Sequence, residues 1–229
     1  VLKMDKKTNI IKPKITPSEM FLTGILLAFT GGFLDAYTYI LRGNVFANAQ
    51  TGNIVLLGIN IAIGDIKKAI YYLIPIMAFA VGIFLTEIIK RSFSEKKLLH
   101  WRQIIILFEI IILFIIGLSN ENIPNSFINV SVSFVCALQV ASFRKLSGLG
   151  YATTMCTGNL RSSIDKLSLF LFEKDKKALI DSILYMSIII LFIAGAATGV
   201  ILIKHFSHNS IWLCCILLLF VLIILHEEE

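Results

Sequence analysis

The chain alternates long apolar runs with short polar segments, and this alternation predicts how it folds. A helix needs about 20 mostly apolar residues to cross the hydrocarbon core of a bilayer, and six runs approach or exceed that length. The pattern therefore predicts an all-α polytopic membrane helix bundle that forms a single domain over residues 1–229. The candidate spans are 20–41, 69–89, 103–118, 127–143, 179–203 and 211–225.

Two further stretches, 45–63 and 151–172, open with polar residues before they become apolar, and they decide the topology. If neither crosses, 17 of the 21 Lys and Arg residues lie on one side of the membrane and 4 on the other. If both cross, the split becomes about 12 to 9. Because cytoplasmic loops carry an excess of Lys and Arg, the sequence predicts six spans with a cytoplasmic N-terminus and two interrupted or re-entrant helices.

The composition agrees with a bilayer as the solvent. The chain is 57% hydrophobic and 16% charged, with a mean hydropathy of +0.84 and a formal charge of +6. These values lie outside the range of ordinary soluble domains. The Lys and Arg residues cluster between apolar runs, as the flanks of membrane helices do, so nucleic acid is not an expected partner.

Short motifs recur in the same order in the two halves, which predicts an internal duplication of residues 18–118 and 127–225. A repeat of three spans, an odd number, requires the second copy to be inverted relative to the first. Inverted repeats are common among transporters, whose solute site lies near the midplane and is framed by interrupted helices. The matching motifs are Thr51-Gly52-Asn53 with Thr157-Gly158-Asn159, Lys67-Lys68-Ala69 with Lys176-Lys177-Ala178, and Ala80-x-Gly82 with Ala197-x-Gly199.

Each Thr-Gly-Asn triplet indicates a helix that begins inside the protein, with Thr51 and Thr157 as N-caps. Glycine after the threonine allows close approach of a neighbour, and the amides of the first turn are left free to bind a ligand. Two such helix starts facing each other would suit an anion or the carbonyl and hydroxyl groups of a polar solute. The alternative is a pair of capped helices packed together without a ligand.

Three polar residues within apolar runs are further candidates. Asp35 could bind a cation, relay a proton or form a structural salt bridge with Arg42 or Arg161. Gln139 lies at about the place of Asp35 in the other half, although interhelical hydrogen bonding explains it equally well. Glu109 has an apolar counterpart in the second half and is the weaker candidate.

The sequence indicates neither an enzyme nor a metal or cofactor site. There is no His beside Ser or Cys in a span and no phosphate-binding glycine loop. The cysteines have no paired metal-ligand spacing and are typical of small core residues. They are Cys136, Cys156, Cys214 and Cys215.

Three sequence blocks resemble the YoaK-like family of bacterial membrane proteins, which is classified as a domain of unknown function. They are Gly31-Gly32-Phe33-Leu34-Asp35-Ala36, the stretch from Phe46 to Gly58, and Ala152-Thr153-Thr154-Met155-Cys156-Thr157-Gly158-Asn159-Leu160. The resemblance implies a six-helix protein of the inner membrane and implies no substrate. The chain departs from the family pattern at Gln139-Val140, where a Gln-Asn pair is expected.

The sequence thus predicts a transporter or channel for a small solute or ion, with the lipid bilayer as its surroundings and a homo-oligomer left open. The alternative is a non-transporting scaffold, which would pack the region between the triplets dry and expose small residues such as Gly195 and Gly199 to a partner. The residues predicted to bind the solute are Asp35, Thr51, Gly52, Asn53, Gln139, Thr157, Gly158 and Asn159.

Overall fold

A computed structural model describes residues 20–93, 100–119, 123–151 and 153–226. Within these residues the chain is almost entirely helical. A β-hairpin of two antiparallel two-residue strands, β1 (Lys145–Leu146) and β2 (Leu149–Gly150), precedes α6. A 3-10 turn, Ser207–Ile211, separates the last two helices. The helices are α1 (Phe21–Leu41), α2 (Gln50–Ala62), α3 (Ile66–Phe93), α4 (Trp101–Gly117), α5 (Asn125–Ser142), α6 (Cys156–Glu173), α7 (Lys176–Phe206) and α8 (Trp212–His226).

Four helical stretches of the described chain are long and apolar enough to cross a membrane. They are Phe21–Leu41, Ile66–Phe93, Asn125–Ser142 and Lys176–His226. The last stretch is not one straight helix, because Ser207 has a φ of +48° and ends α7 before the 3-10 turn. Helices α1 and α5 are mostly buried, whereas α3 shows most of its apolar surface to the outside, as expected of a membrane protein.

Short turns with left-handed residues separate the helices. Gly43 and Asn44 have φ values of +84° and +59° and reverse the chain after α1, and Gly64 at +79° ends α2. A carboxylate then caps the next helix in each half. Asp65 accepts the amide of Lys68 at 3.1 Å, and Asp175 accepts the amide of Lys177 at 2.8 Å, which satisfies amides that the first turn would leave unpaired.

The helix contacts of the first half have counterparts in the second half. Helix α1 packs along α7, and α5 packs along α3; α2 packs on α3, and α6 packs on α7. Helix α4 contacts α8, so the two last helices of the halves meet each other. These helix pairs therefore keep their partners when the two halves are exchanged, whereas the contact of α3 with α4 has no comparable α7–α8 counterpart.

Glycines permit the closest of these crossings. A Cβ at Gly32 would fall on the carbonyl oxygen of Phe192 in α7, and a Cβ at Gly195 would fall on that of Phe29 in α1. In the other crossing, a Cβ at Gly82 would lie 2.7 Å from the carbonyl oxygen of Phe134 in α5. Small residues let helix backbones approach in membranes, where packing has to drive association.

Helices α2 and α6 begin at the predicted motifs, but the threonines are not their N-caps. The N-cap residues are Ala49 and Met155, and neither makes a side-chain cap bond. Thr51 and Thr157 are the second residues of their helices. The capping prediction was therefore wrong for both helices. In α2 the segment before the helix is held instead by a carboxylate from α1, described below.

Two of the segments used in the charge tally fall outside the described residues. These are the basic N-terminal arm, residues 1–17, and residues 94–99 of the loop before α4.

We expect Gly32→Ala to destabilise the protein by about 1–3 kcal/mol, because the added methyl group meets backbone that cannot rotate away. Denaturant unfolding in detergent measures this change. Gly58→Ala is the matched control, since a Cβ there meets nothing within 4 Å and should stabilise the helix by up to about 1 kcal/mol. Equal stability changes in the two variants would contradict the close crossing of α1 and α7.

Candidate solute-binding site

A cavity of about 650 Å³ lies where α2 and α6 begin, between α1, α3 and α7. Its volume falls in the range of about 300–1,000 Å³ that small-molecule sites occupy. Apolar and aromatic side chains dominate its wall, and polar groups come from α1 and the two helix starts. The lining residues are Asp35, Ala36, Tyr39, Ile40, Phe46, Asn48, Ala49, Gln50, Thr51, Phe79, Thr154, Met155, Cys156, Thr157, Phe192, Ala196 and Val200.

Asp35 is buried at this cavity and its carboxylate contacts backbone rather than a basic side chain. The amide of Asn48 donates to Asp35 Oδ1 at 2.8 Å, and the flanking amides of Ala47 and Ala49 lie close enough to favour the charged carboxylate. Asp35 thereby provides an acceptor for the non-helical segment before α2. Non-helical backbone survives at membrane depth only when its polar groups find partners within the protein or in a wet cavity.

Asn48 is a cavity residue that the sequence prediction omitted. Its side-chain amide donates to the carbonyl oxygen of Gly31 at 3.0 Å, whereas its Oδ1 has no hydrogen-bond partner among the described residues. A buried acceptor without a partner costs about 1–3 kcal/mol, and this oxygen has almost no accessible surface. Asn48 opens the same motif as Thr51, so its position in the motif was the available signal.

The eight predicted site residues do not all reach one cavity. Asp35, Thr51 and Thr157 line the 650 Å³ cavity. Gly52 faces a neighbouring depression with Tyr39 and Tyr72. Gly158 and Asn159 border a separate cavity of about 490 Å³ near Arg144 and Tyr151.

The other two predicted residues are buried and bonded within the protein. Asn53 Nδ2 donates to the carbonyl oxygen of Phe46 at 2.7 Å and to Gln50 Oε1 at 3.0 Å, so it fixes the segment before α2. Gln139 Nε2 donates to the carbonyl oxygen of Leu27 at 3.3 Å, which joins α5 to α1. Both contacts match the structural alternative to solute binding.

The packing register aligns Asp35 with Cys136 instead of with Gln139. Gly199 faces Ala36 and the carbonyl of Phe33 in α1. The repeat-related Gly82 faces Ala137 and the carbonyl of Phe134 in α5. The contacted residues in α1 and α5 differ by 101 in residue number (Phe33 and Phe134). In this register Asp35 is equivalent to Cys136, and Thr38 is equivalent to Gln139. This register differs by three residues, close to one helical turn, from the one predicted from the sequence, in which Gln139 is equivalent to Asp35. Both helices are apolar on either side of these positions, so the sequence pattern does not separate the two registers.

The ion pairs considered for Asp35 do not form. The Arg42 guanidinium donates to Tyr37 Oη at 3.1 Å and to Ser119 Oγ at 3.4 Å. Arg161 pairs with Asp165 at 3.7 Å on an exposed face of α6. The carboxylate of Asp35 therefore has only backbone donors in the part of the chain that the structure describes.

Glu109 lies fully buried in α4, away from this cavity. Neither of its carboxylate oxygens has a hydrogen-bond partner among the described residues.

A family model described as a protein of unknown function (DUF1275) matches residues 23–224. The chain belongs to the DUF1275 family. The match includes every residue of the 650 Å³ cavity and both helix starts.

This DUF1275 protein is also similar to a curated relative, the UPF0700 transmembrane protein YoaK of Bacillus subtilis (strain 168). The two are 29% identical over 202 residues, which cover 84% of this chain and 88% of the relative. No solved structure matches the chain. The family, the transmembrane relative and the apolar helices together identify an integral membrane protein.

We expect Asp35→Asn to lower the stability of the DUF1275 protein by about 1–3 kcal/mol, because the new NH₂ group cannot accept the amides that the carboxylate holds. Chemical unfolding in detergent at neutral pH measures the loss. Asp165→Asn is the control, since that carboxylate is exposed and pairs with Arg161 along one helix; it should change stability by less than about 0.5 kcal/mol. A wild-type value for Asp35→Asn would show that the carboxylate does not hold the segment before α2.

Proposed function

We propose that the chain is a six-span protein of the bacterial inner membrane, with its N-terminus in the cytoplasm and its two halves inverted relative to each other. Helices α1, α3, α4, α5, α7 and α8 are the spans. Helix α2 has 13 residues, about 20 Å, too short for a hydrocarbon core of about 30 Å. Helix α8 has 15 residues, but the five-residue 3-10 turn that leads directly into it extends the helical stretch to 20 residues. Helix α6 carries exposed Arg161 and Asp165, which the bilayer centre disfavours.

The exchange symmetry of the contacts supports the inverted repeat. The close crossing of α1 with α7 corresponds to that of α5 with α3, with Gly199 and Gly82 at equivalent places. Helices α4 and α8 begin at Trp101 and Trp212. An odd number of spans in each half then requires opposite orientations.

The proposed activity is passage of a small polar solute through the 650 Å³ cavity. The observation that carries this proposal is the convergence of the two interrupted-helix starts on one cavity, with Thr51 and Thr157 both in its wall. Transporters with inverted repeats place their solute at such discontinuous helices near the midplane. The role given to the cavity is binding and passage, not catalysis.

The charges at the cavity favour an uncharged or zwitterionic solute. The lining contains one acidic residue, Asp35, and no lysine or arginine. Each helix start contributes roughly half a positive charge, so α2 and α6 together offset about one carboxylate. A net field near zero gives neither a cation nor an anion a large advantage, whereas the hydroxyl and amide groups of a solute can pair with Thr51 and Thr157 in the cavity wall.

The use of the small residues in α7 argues against the scaffold alternative. Gly195 and Gly199 are buried against α1, and Ala196 lines the cavity. These three residues serve contacts within the chain, and the small residue of the same stretch that stays exposed is Ala197.

A thermal-unfolding screen tests the proposal with the purified protein in detergent and a panel of amino acids, polyols, sugars, organic acids and inorganic ions. A solute at about 100 times its dissociation constant should stabilise by roughly 2.7 kcal/mol. We expect stabilisation by one class of neutral or zwitterionic solute, and its loss in the Thr51→Ala plus Thr157→Ala variant.

Ser131→Ala plus Ser187→Ala is the control for this screen. Both hydroxyls bond to a carbonyl in their own helix and lie outside the cavity, so the variant should respond to the solute as the wild type does. Equal stabilisation of the threonine variant and the wild type, or no response across the panel, would contradict solute binding at the two helix starts.

A further inference from the structure

A smaller cavity lies at the C-terminal end of α3 and is lined by basic side chains. It has a volume of about 260 Å³, and four of its residues are Lys90, Arg102, Arg144 and Lys145. Trp101 also lines it and is buried. We call these four basic residues and Trp101 the basic pocket.

Aromatic and backbone contacts hold two of these cations in place. The Arg102 guanidinium lies 4.6 Å from the centroid of the Trp101 ring, and Lys90 Nζ lies 5.9 Å from it. Arg102 Nε donates to the carbonyl oxygen of Ser142 at 3.1 Å. Arg144 pairs with Glu87 at 3.3 Å.

The repeat architecture does not require this charge. Trp101 corresponds to Trp212 in the other half, yet the surrounding basic residues have no charged counterparts. The repeat-related positions hold Gly43, Asn44, Ser207 and Leu213. A general excess of Lys and Arg on the cytoplasmic side accounts for charge on this face, but not for its convergence on one concave site with a tryptophan in the wall.

We propose that the basic pocket binds the phosphate group of an anionic phospholipid from the cytoplasmic leaflet. Basic pockets between membrane helices on that side suit anionic headgroups, and tryptophan is favoured at the membrane–water interface. Phe84 and Ile88 of α3 are exposed six and two residues before Lys90, and they offer an apolar surface for the acyl chains. The acyl-chain surface distinguishes a lipid from free phosphate. The inference rests on the membrane placement of the chain and not on solute transport.

Quenching of tryptophan fluorescence by brominated lipids tests the proposal at the site itself. The protein carries Trp212→Phe, so that Trp101 is its one fluorescent tryptophan, and is reconstituted in vesicles of phosphatidylcholine. Brominated phosphatidylglycerol or brominated phosphatidylcholine is then titrated in. The ratio of the two quenching curves gives the preference for the anionic lipid and cancels differences in intrinsic emission.

We expect phosphatidylglycerol to be preferred at Trp101 by about tenfold or more. In Lys90→Gln plus Lys145→Gln the preference should fall by about tenfold to thirtyfold, since each surface cation contributes about a fivefold change. Lys176→Gln plus Lys177→Gln is the matched control on the same proposed face, and it should keep the preference. Thermal unfolding in detergent without added lipid verifies that all variants are folded.

Three results would overturn the proposal. Equal quenching by the two lipids would mean that no anionic site lies at Trp101. An equal loss of preference in the two double variants would mean that the whole charged face attracts the lipid and the pocket does not. Abolition of the preference by 10 mM inorganic phosphate (on the order of the concentration that fills a weak phosphate site) would assign the pocket to soluble phosphate.

Discussion

The interaction between the Asp35 carboxylate and the backbone before α2 is the constraint on which the rest of the site depends. The chain leaves helical geometry between α1 and α2, and its amides need acceptors that apolar surroundings do not supply. Asp35 supplies an acceptor from the neighbouring helix, through the 2.8 Å hydrogen bond that its carboxylate receives from the Asn48 amide. With that segment fixed, Thr51 and Asn48 face the cavity and α2 starts beside α6.

The two halves share a packing plan but not the same chemistry. Gly82 and Gly199 lie at equivalent helix crossings. The equivalent positions Asp35 and Cys136 differ, because one carries a carboxylate and the other a thiol. Glu109 in α4 is a buried carboxylate, while α8 around Ile216 and Phe220 is apolar. The two halves therefore share a similar arrangement of helices, and their buried polar groups differ.

The sequence predicts most of the helices because the physics of spanning is local: a long apolar run has to become a helix, and a polar motif interrupts it. The starts of α2 and α6 follow from that reasoning. Which side of a helix a residue faces depends instead on packing, so Asn53 and Gln139 could not be separated from Asp35 and Thr51 by sequence. The equivalence of positions in α1 and α5 could not be predicted for the same reason, because it is defined by the packing contacts of Gly82 and Gly199.

The most direct test of the central claim is the reactivity of native Cys156, which lies between the two helix starts and lines the cavity. Membrane vesicles are treated with a small water-soluble thiol reagent, and the labelled cysteines are mapped by peptide mass spectrometry. Buried Cys214 is the internal control, and an added Ser207→Cys in the exposed turn before α8 verifies that the reagent is active. A water-accessible cavity predicts labelling of Cys156 and none of Cys214. Labelling of the cysteine at position 207 with Cys156 as inert as Cys214 would contradict the account.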